Sequence, residues 1–502
     1  MLDLALIHPP SVYDFRKIPW KHYGPISDVV PSTPVFDMYP IGFFSLASYL
    51  EERGFKVGIY NLAARMVKDD NFNAEKLLKS IEARVYGIDL HWLVHAHGAI
   101  EIAKILKKQG KGPVILGGLS ATYYWREILS KFEFIDYIVL GDTTEPVIEK
   151  FLEGKRVEEL PNIAYRRNGI PVSTGLKFVP ERLDNYAPKY GLLVKSMART
   201  SIKNSTPYSL FFKYPITAVL QFKGCLLNCL TCGGSNYTFR TFFNRSKLGV
   251  KSVETVVQEV KELAERFKVT IFLIGDIRLP GKKYYEELLK RLHEEKIDNR
   301  VMFEFFTPPS QEVISEISKS VEQPIIQISP DAWEDDWRQV IGRNYTNQDL
   351  IKFLEKASPL VDRIDVYFMT GLPGQNLDSV KGFKNLVEEI CKIENIEVFA
   401  APLAPFVDPG SRAFVNPHEY GYNLLAKTLE EHRKLLLADE WFKMLNYETK
   451  WLKREEIALL SYNVVEKLYK IKLEKGIISE EEFKKLTESI KQARERRNKK
   501  LT

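Results

Sequence analysis

The sequence predicts an α/β protein built from two successive parallel-sheet units and closed by a helical C-terminal region. Three observations predict it. Over the first 150 residues, five short apolar runs alternate with amphipathic stretches. From residue 216 to about 401 six further apolar runs follow, again with helical stretches between them. Beyond residue 410 strand signals vanish and Lys/Glu pairs at helical spacing take over. Crossovers of a dozen or more residues require parallel pairing.

In the first unit, residues 1–154, the strand-like runs are 4–8, 57–61, 86–90, 113–117 and 137–140. Helical patterns lie at 43–53, 74–84, 98–109, 122–131 and 145–152. This is a doubly wound, Rossmann-like sheet, whose ligands sit beyond the carboxyl ends of the strands. Those ends are His8-Pro9-Pro10, Asp89 to Trp92, Gly117 to Ser120 and Gly141 to Thr143. Gly117-Gly118 permits close approach of a ligand to the backbone. His91 and His95, four apart and followed by His97, raise a metal reading. Against it, Trp92 and Val94 read as strand continuation, and no carboxylate is spaced to help.

Residues 155–214 form a connector with a hairpin turning at Asn168-Gly169. Its aromatic run from Tyr208 to Tyr214 reads as inter-domain packing or, more sharply, as a greasy substrate entrance. The second unit, 215–408, places strands at 217–222, 270–274, 301–305, 325–328, 364–369 and 397–401. Helices at 253–267, 284–295, 347–357 and 377–392 alternate with them. That is a partial (β/α)6 barrel with its site at the strand C-termini. Residues 409–502 read as a small helical domain (420–437, 454–472, 480–498) with Trp441 and Trp451 in its core, capping the barrel mouth or forming an interface.

Three of the four cysteines fall in one loop, Cys225-Leu-Leu-Asn-Cys229-Leu-Thr-Cys232, after the apolar run 216–222 and before Gly233-Gly234. Three thiolates suit a four-iron cluster with one iron left open. A structural zinc site asks for a fourth ligand, and the nearest downstream histidine is His293. Spacing alone therefore leaves an open-iron cluster, zinc and unliganded thiols as readings. Cys391, in the helical run Leu386 to Cys391, reads as packing.

Cys-x3-Cys-x2-Cys behind an apolar strand resembles the signature of the radical SAM (S-adenosylmethionine) superfamily. Pro40-Ile41-Gly42, Gly117-Gly118-x-Ser120 and Gly141-Asp142 together resemble the B12-binding domain that precedes many radical SAM domains. The resemblance implies that Cys225, Cys229 and Cys232 hold a 4Fe-4S cluster whose fourth iron chelates SAM. It implies SAM contacts at Gly275-Asp276, Glu304, Ser329, Arg343 and the Gly371-Leu372-Pro373-Gly374-Gln375 segment. It implies a cobalamin cradle at Gly117, Gly118, Ser120 and Gly141, with no protein imidazole on cobalt, since the Asp-x-His-x-x-Gly motif is absent. One departure concerns the adenine contact: the residue before the third cysteine is commonly aromatic in the family and here is Thr231. A surface Arg343 paired near Asp335 or Asp336 is the plain alternative for that residue. The implied reaction is cleavage of SAM to a 5′-deoxyadenosyl radical, with cobalamin-dependent C-methylation of an unactivated carbon. Ring closure or carbon–carbon bond formation on a lipid or secondary metabolite is the alternative. The implied partners are a small-molecule or lipid substrate and an external electron donor of ferredoxin or flavodoxin type. With no further cysteines, an auxiliary cluster is excluded and methylthiotransferases are disfavoured.

Composition bounds the rest. Apolar content of 45% and charged content of 27% describe an ordinary soluble globular chain. No apolar run reaches the roughly 18–20 residues that cross a bilayer, and residues 1–8 read as a strand rather than a signal peptide. Few cysteines, mostly clustered as ligands, place the chain in a reducing cytoplasm. The net charge of +6 arises wholly from Lys484 onward, so no broad nucleic-acid surface is implied. That tail reads as a solvated helix end or a contact to anionic head groups at a membrane surface. Two other function classes stay open: a non-catalytic corrinoid- or lipid-binding protein, and a zinc protein that uses the tail on nucleic acid.

Overall fold

The computed structural model describes residues 1–18, 35–402 and 406–501. The first sheet has seven strands in the order β2-β1-β3-β4-β5-β6-β7. They are β1 (Leu2–His8), β2 (Val57–Asn61), β3 (Ala83–Asp89), β4 (Val114–Gly117), β5 (Tyr137–Val139), β6 (Ile163–Arg167) and β7 (Ile170–Ser173). β1 to β5 are parallel, as their crossover lengths require. The expected hairpin at Asn168-Gly169 is present, with both residues at positive φ. It does not stand alone as a connector element but extends this sheet antiparallel from β5.

The second sheet runs β15-β14-β13-β12-β11-β8, all parallel and open between its edge strands. Its strands are β8 (Ile216–Leu220), β11 (Thr270–Ile274), β12 (Arg300–Phe305), β13 (Gln323–Asp331), β14 (Arg363–Thr370) and β15 (Ile396–Pro402). A short antiparallel pair, β9 (Phe222–Lys223) with β10 (Gly249–Val250), sits just after β8. Period-2 alternation decides what each side sees. Val219, Ile271, Phe303, Ile326, Val366 and Val398 join the apolar layer under the helices. On the opposite side Ile216, Phe272, Met302 and Ile325 form a separate cluster with Tyr208, Leu210 and Phe211. The connector's aromatic run is thus split: Tyr208 is buried against strand starts, while Phe212 and Tyr214 are exposed.

Several expected boundaries move. The stretch 74–84 stops as a helix at Ser80, because β3 begins at Ala83. The stretch 122–131 divides into helices Leu119–Tyr123 and Trp125–Lys131. A helix absent from the sequence reading, Gln311–Ser320, fills the crossover from β12 to β13. The expected helix 420–437 is instead strand β16 (Tyr422–Leu424), paired with β17 (Tyr447–Thr449), and a short helix Leu429–Leu435. Gly421 at positive φ turns the chain there, and its missing Cβ admits the Trp451 ring. Helix Arg454–Glu474 packs on β15 and on helix Val380–Ile390, so it covers the edge of the second sheet. Trp441 is buried and donates to the Tyr462 hydroxyl, whereas Trp451 is partly exposed against Trp337. The side chains of Arg494, Arg496, Arg497, Lys499 and Lys500 lie outside the described residues. Among the described residues no helix is long and apolar enough to cross a membrane.

The two sheets share a buried seam. Helix Gly42–Glu52 of the first unit meets helix Val253–Arg266 of the second across a cavity of about 30 Å³, lined by Ser45, Lys223, Lys251 and Glu259 among others. Lys251 and Glu259 pair there with almost no exposure. Burial pushes the Glu259 carboxyl up to about 7 against the pull of Lys251. A carboxyl raised on folding contributes stability that is complete below its unfolded pKa of about 4.3. That contribution is lost as pH rises through about 7. Thermal scans should therefore show the wild type losing stability between about pH 5 and about pH 8 more steeply than Glu259→Gln. Parallel curves would remove this residue from the account.

Candidate active site at the junction of the two sheets

β8 delivers the chain to Gln221, and Gly224 at φ +90° turns it into the cysteine loop. Each of the three sulfurs accepts an N–H. Leu227 N donates to Cys225 Sγ at 3.3 Å, Gly234 N to Cys232 Sγ at 3.2 Å, and Arg343 Nη1 to Cys229 Sγ at 2.8 Å. Donors aimed at sulfur are what cluster thiolates use. Burial raises the Cys232 thiol well above its usual range, so proton release would accompany metal binding. Among the described residues no three His, Cys, Asp or Glu side chains converge on one ion position. A cubane takes one thiolate per iron and asks for spread instead.

The loop is stapled by segments remote in sequence. Asp408 Oδ2 accepts from Gly233 N at 2.9 Å, and Asp408 N donates to the Thr231 carbonyl at 3.2 Å. Ala413 N reaches the Leu230 carbonyl, and Leu230 N reaches that of Ile341. Burial pushes the Asp408 carboxyl up to about 6. Asp408 gave no signal in the sequence reading.

The strand ends of the second sheet gather the remaining named residues. Arg343 is buried, not a surface arginine, and its partner is neither Asp335 nor Asp336. Its guanidinium reaches Asp331 at 2.9 Å, the Ser329 carbonyl at 3.1 Å and Cys229 Sγ, and lies over the Phe306 ring. Asp335 pairs instead with Arg338. Glu304 accepts from Gly275 N at 2.7 Å, and burial pushes its carboxyl up to about 7. Asp276 is held in a fork by Arg278. The space a side chain would need at Gly275 is taken by the Phe222 ring, at Gly371 by the Tyr447 hydroxyl and at Gly374 by Trp337. Pro373 sits inside that Gly371–Gln375 turn, which Gln375 closes through Leu372 N and the Met369 carbonyl. Among the described residues, the buried acceptors Gln221 Oε1, Gln327 Oε1 and Asp331 Oδ1 in this region have no partner. Unpartnered buried acceptors call for a donor-rich ligand.

At the first sheet, order β2-β1-β3-β4-β5 puts the switch point between β1 and β3. There His8 Nδ1 meets Asp89 Oδ2 at 2.9 Å, both buried. β3 stops at Asp89, so Trp92 and Val94 do not continue the strand; residues 93–95 form a 3-10 turn and a helix starts at Ala96. Gly117 opens onto free space, with nothing within 4 Å of where a side chain would begin. Trp92 nearby is 44% exposed. Gly118, at φ +115°, runs against the His91 backbone, where a Cβ would lie 2.4 Å from His91 Cα. Ser120 Oγ donates to the His91 carbonyl at 3.0 Å, and Gly141 N donates to Thr122 Oγ1 at 3.0 Å. Gly118→Ala should displace the His91–Trp92 turn, reading out as a blue-shifted or broadened Trp emission change with a loss of about 1–3 kcal/mol in stability. An unchanged spectrum and midpoint would contradict this packing.

The two sites are tied together by the residue after Gly141. Asp142 is forked by Arg245 at 2.5 and 2.9 Å. Burial opposes ionisation of Asp142, and the Arg245 fork overcomes it, so the carboxyl titrates below its usual range. Lys223, two residues before Cys225, donates to the Asp142 carbonyl at 2.6 Å. One strand end of the first sheet is therefore fastened directly to the cysteine loop.

The Radical SAM superfamily model matches residues 219–387, and the B12 binding domain model matches residues 28–149. The chain carries a radical SAM domain behind a B12 binding domain. None of the curated proteins matches it in sequence. Among solved structures, the radical SAM methyltransferase TsrM from Kitasatospora setae, with tryptophan substrate and the SAM analogue aza-SAM, superposes with a TM-score of 0.58 at 14% identity, covering 80% of this chain and 73% of that one. The cobalamin-dependent SAM radical enzyme OxsB, with aqua-cobalamin and SAM bound, gives 0.61 at 14% identity over 99% of this chain and 71% of that one. At such identities the likeness is one of fold.

Proposed function

We propose that this radical SAM protein is a cobalamin-dependent enzyme that methylates an unactivated carbon of a small-molecule or lipid substrate. The observation that carries the reading is the Asp142–Arg245–Lys223 clasp, which fastens the B12 binding domain to the loop of Cys225, Cys229 and Cys232. When bound, the cluster and SAM supply a 5′-deoxyadenosyl radical, and the corrinoid supplies the methyl group.

The donor set fits a 4Fe-4S cluster, since three thiols on one loop each already accept an N–H. The unpartnered acceptors Gln221, Gln327 and Asp331 fit the amino and hydroxyl donors of SAM. Arg343, anchored by Asp331 and Ser329, would hold charge beside Cys229 and the SAM carboxylate. Glu304, with only Gly275 N upon it, would receive the amino group, and Asp276 would act through its fork with Arg278. Gly371 and Pro373 would shape the turn that borders the nucleoside. Gly117 and Trp92 would meet the corrinoid, while Gly118, Ser120 and Gly141 hold the backbone that presents them. An external one-electron donor of ferredoxin or flavodoxin type completes the requirement.

The test is anaerobic reconstitution followed by SAM, reductant and cobalamin. Formation of 5′-deoxyadenosine with a reconstituted iron and sulfide content near four each supports the reading. Zinc without acid-labile sulfide would overturn it. Substrate-dependent formation of deoxyadenosine with no methyl group on the product would move the chemistry to ring closure or carbon–carbon bond formation.

A further inference from the structure

Beside the cysteine loop lies an open cavity of about 270 Å³ lined by Asn228, Asn236, Tyr237, Arg240, Thr241 and Arg412. It plays no part in the function proposed above. Its lining residues carry two guanidinium groups and no carboxylate. Arg412 spends one nitrogen on the Tyr420 hydroxyl and lies over that ring. Asn228 Oδ1 accepts from Tyr237 N at 2.9 Å. Arg240 is exposed and, among the described residues, has no ion-pair partner. The residues around this one concavity therefore include two guanidiniums, two side-chain amides and two hydroxyls, with a formal charge of +2.

From this geometry we infer a binding site for a phosphoryl-bearing small molecule. A carboxylate offers two oxygens and one charge. A phosphoryl group offers three strong acceptor oxygens and nearly two charges, which this donor set can satisfy. Guanidinium forks match such oxygens in pairs. Asn228 lies between Cys225 and Cys229 in the chain, so a ligand here would touch the cysteine loop itself.

The test is calorimetric titration of the full chain with inorganic pyrophosphate at constant ionic strength, with malonate as the carboxylate comparator. Saturable binding of pyrophosphate is expected, weakened about tenfold or more in Arg240→Ala and less in Arg240→Lys, which keeps charge but loses the fork. Arg240 is exposed and unpaired, so the fold should tolerate its replacement. Circular dichroism of each variant confirms that point. Equal affinity of wild type and Arg240→Ala would overturn the inference, because binding would then belong elsewhere, the basic tail included. Absence of saturable binding at millimolar pyrophosphate, or tighter binding of malonate, would overturn it as well.

Discussion

Arg245→Ala should destabilise the folded chain by about 3–5 kcal/mol, because it strands the Asp142 carboxylate in a buried seam. The Arg245 side chain is 2% exposed and that of Asp142 11%. Its Nε and Nη2 both reach the carboxylate, and Nη1 reaches the Pro180 carbonyl at 3.0 Å. A surface pair would be worth a few tenths of that figure. Coulomb attraction alone is not the reason for the large value; an uncompensated buried charge is. It follows that Arg245→Met with Asp142→Leu should recover much of what either single change loses. Urea unfolding of the two singles and the double measures this directly. Additive losses would mean that the two residues do not act as one clasp. Loss of stability without any loss of corrinoid retention would leave the clasp structural and detach it from cofactor placement.

The second large effect concerns the cysteines. Cys225→Ala, Cys229→Ala and Cys232→Ala should each lower SAM cleavage by more than about a thousandfold, since in the proposed enzyme each would delete an iron ligand. Cys391→Ala should leave cleavage within about twofold of wild type, because it lies beyond helix Val380–Ile390, packed on apolar neighbours. Iron and sulfide content, read beside deoxyadenosine yield, separates loss of cluster from loss of turnover. Residual activity in any of the three, or loss in Cys391→Ala, would break the assignment. Asp331→Asn offers a gentler variant in the same site. It keeps an acceptor for Arg343 while removing the countercharge, so cluster content should hold while the affinity for SAM changes.

The fold was legible because strands and helices here obey their periods. β1, β2, β4, β5 and the six strands of the second sheet lie where apolar runs placed them. Helix Gln311–Ser320 carried a signal that went unused: Val313, Ile314 and Ile317 form a buried stripe at helical spacing just after Ser310. The region 420–437 misled for the opposite reason: Lys/Glu spacing suits a helix, but Gly421 and pairing with Tyr447–Thr449 impose a hairpin. Tertiary pairing overrides propensity in short stretches.

The site was half legible. The cysteine spacing and strand-end glycines marked its location. What the glycines do was not readable: Gly275, Gly371 and Gly374 admit Phe222, Tyr447 and Trp337 from distant parts of the chain. Gln221 and Gln327 carried a signal that went unused, since each is an amide set directly against apolar neighbours in or beside a strand. Asp408, Lys223 and Arg245 carried none, because their partners lie up to 175 residues away. Contacts at that separation are set by the fold and leave no local pattern.

The central claim is that one chain holds both cofactors against each other across the Asp142 seam. The measurement that tests it most directly is corrinoid retention: reconstitute the cluster anaerobically, add hydroxocobalamin, desalt, and quantify corrinoid per polypeptide. Near-stoichiometric retention that drops in Arg245→Ala is the expected result. A reconstituted protein that cleaves SAM yet retains no corrinoid would contradict the claim and leave the first sheet with a different task.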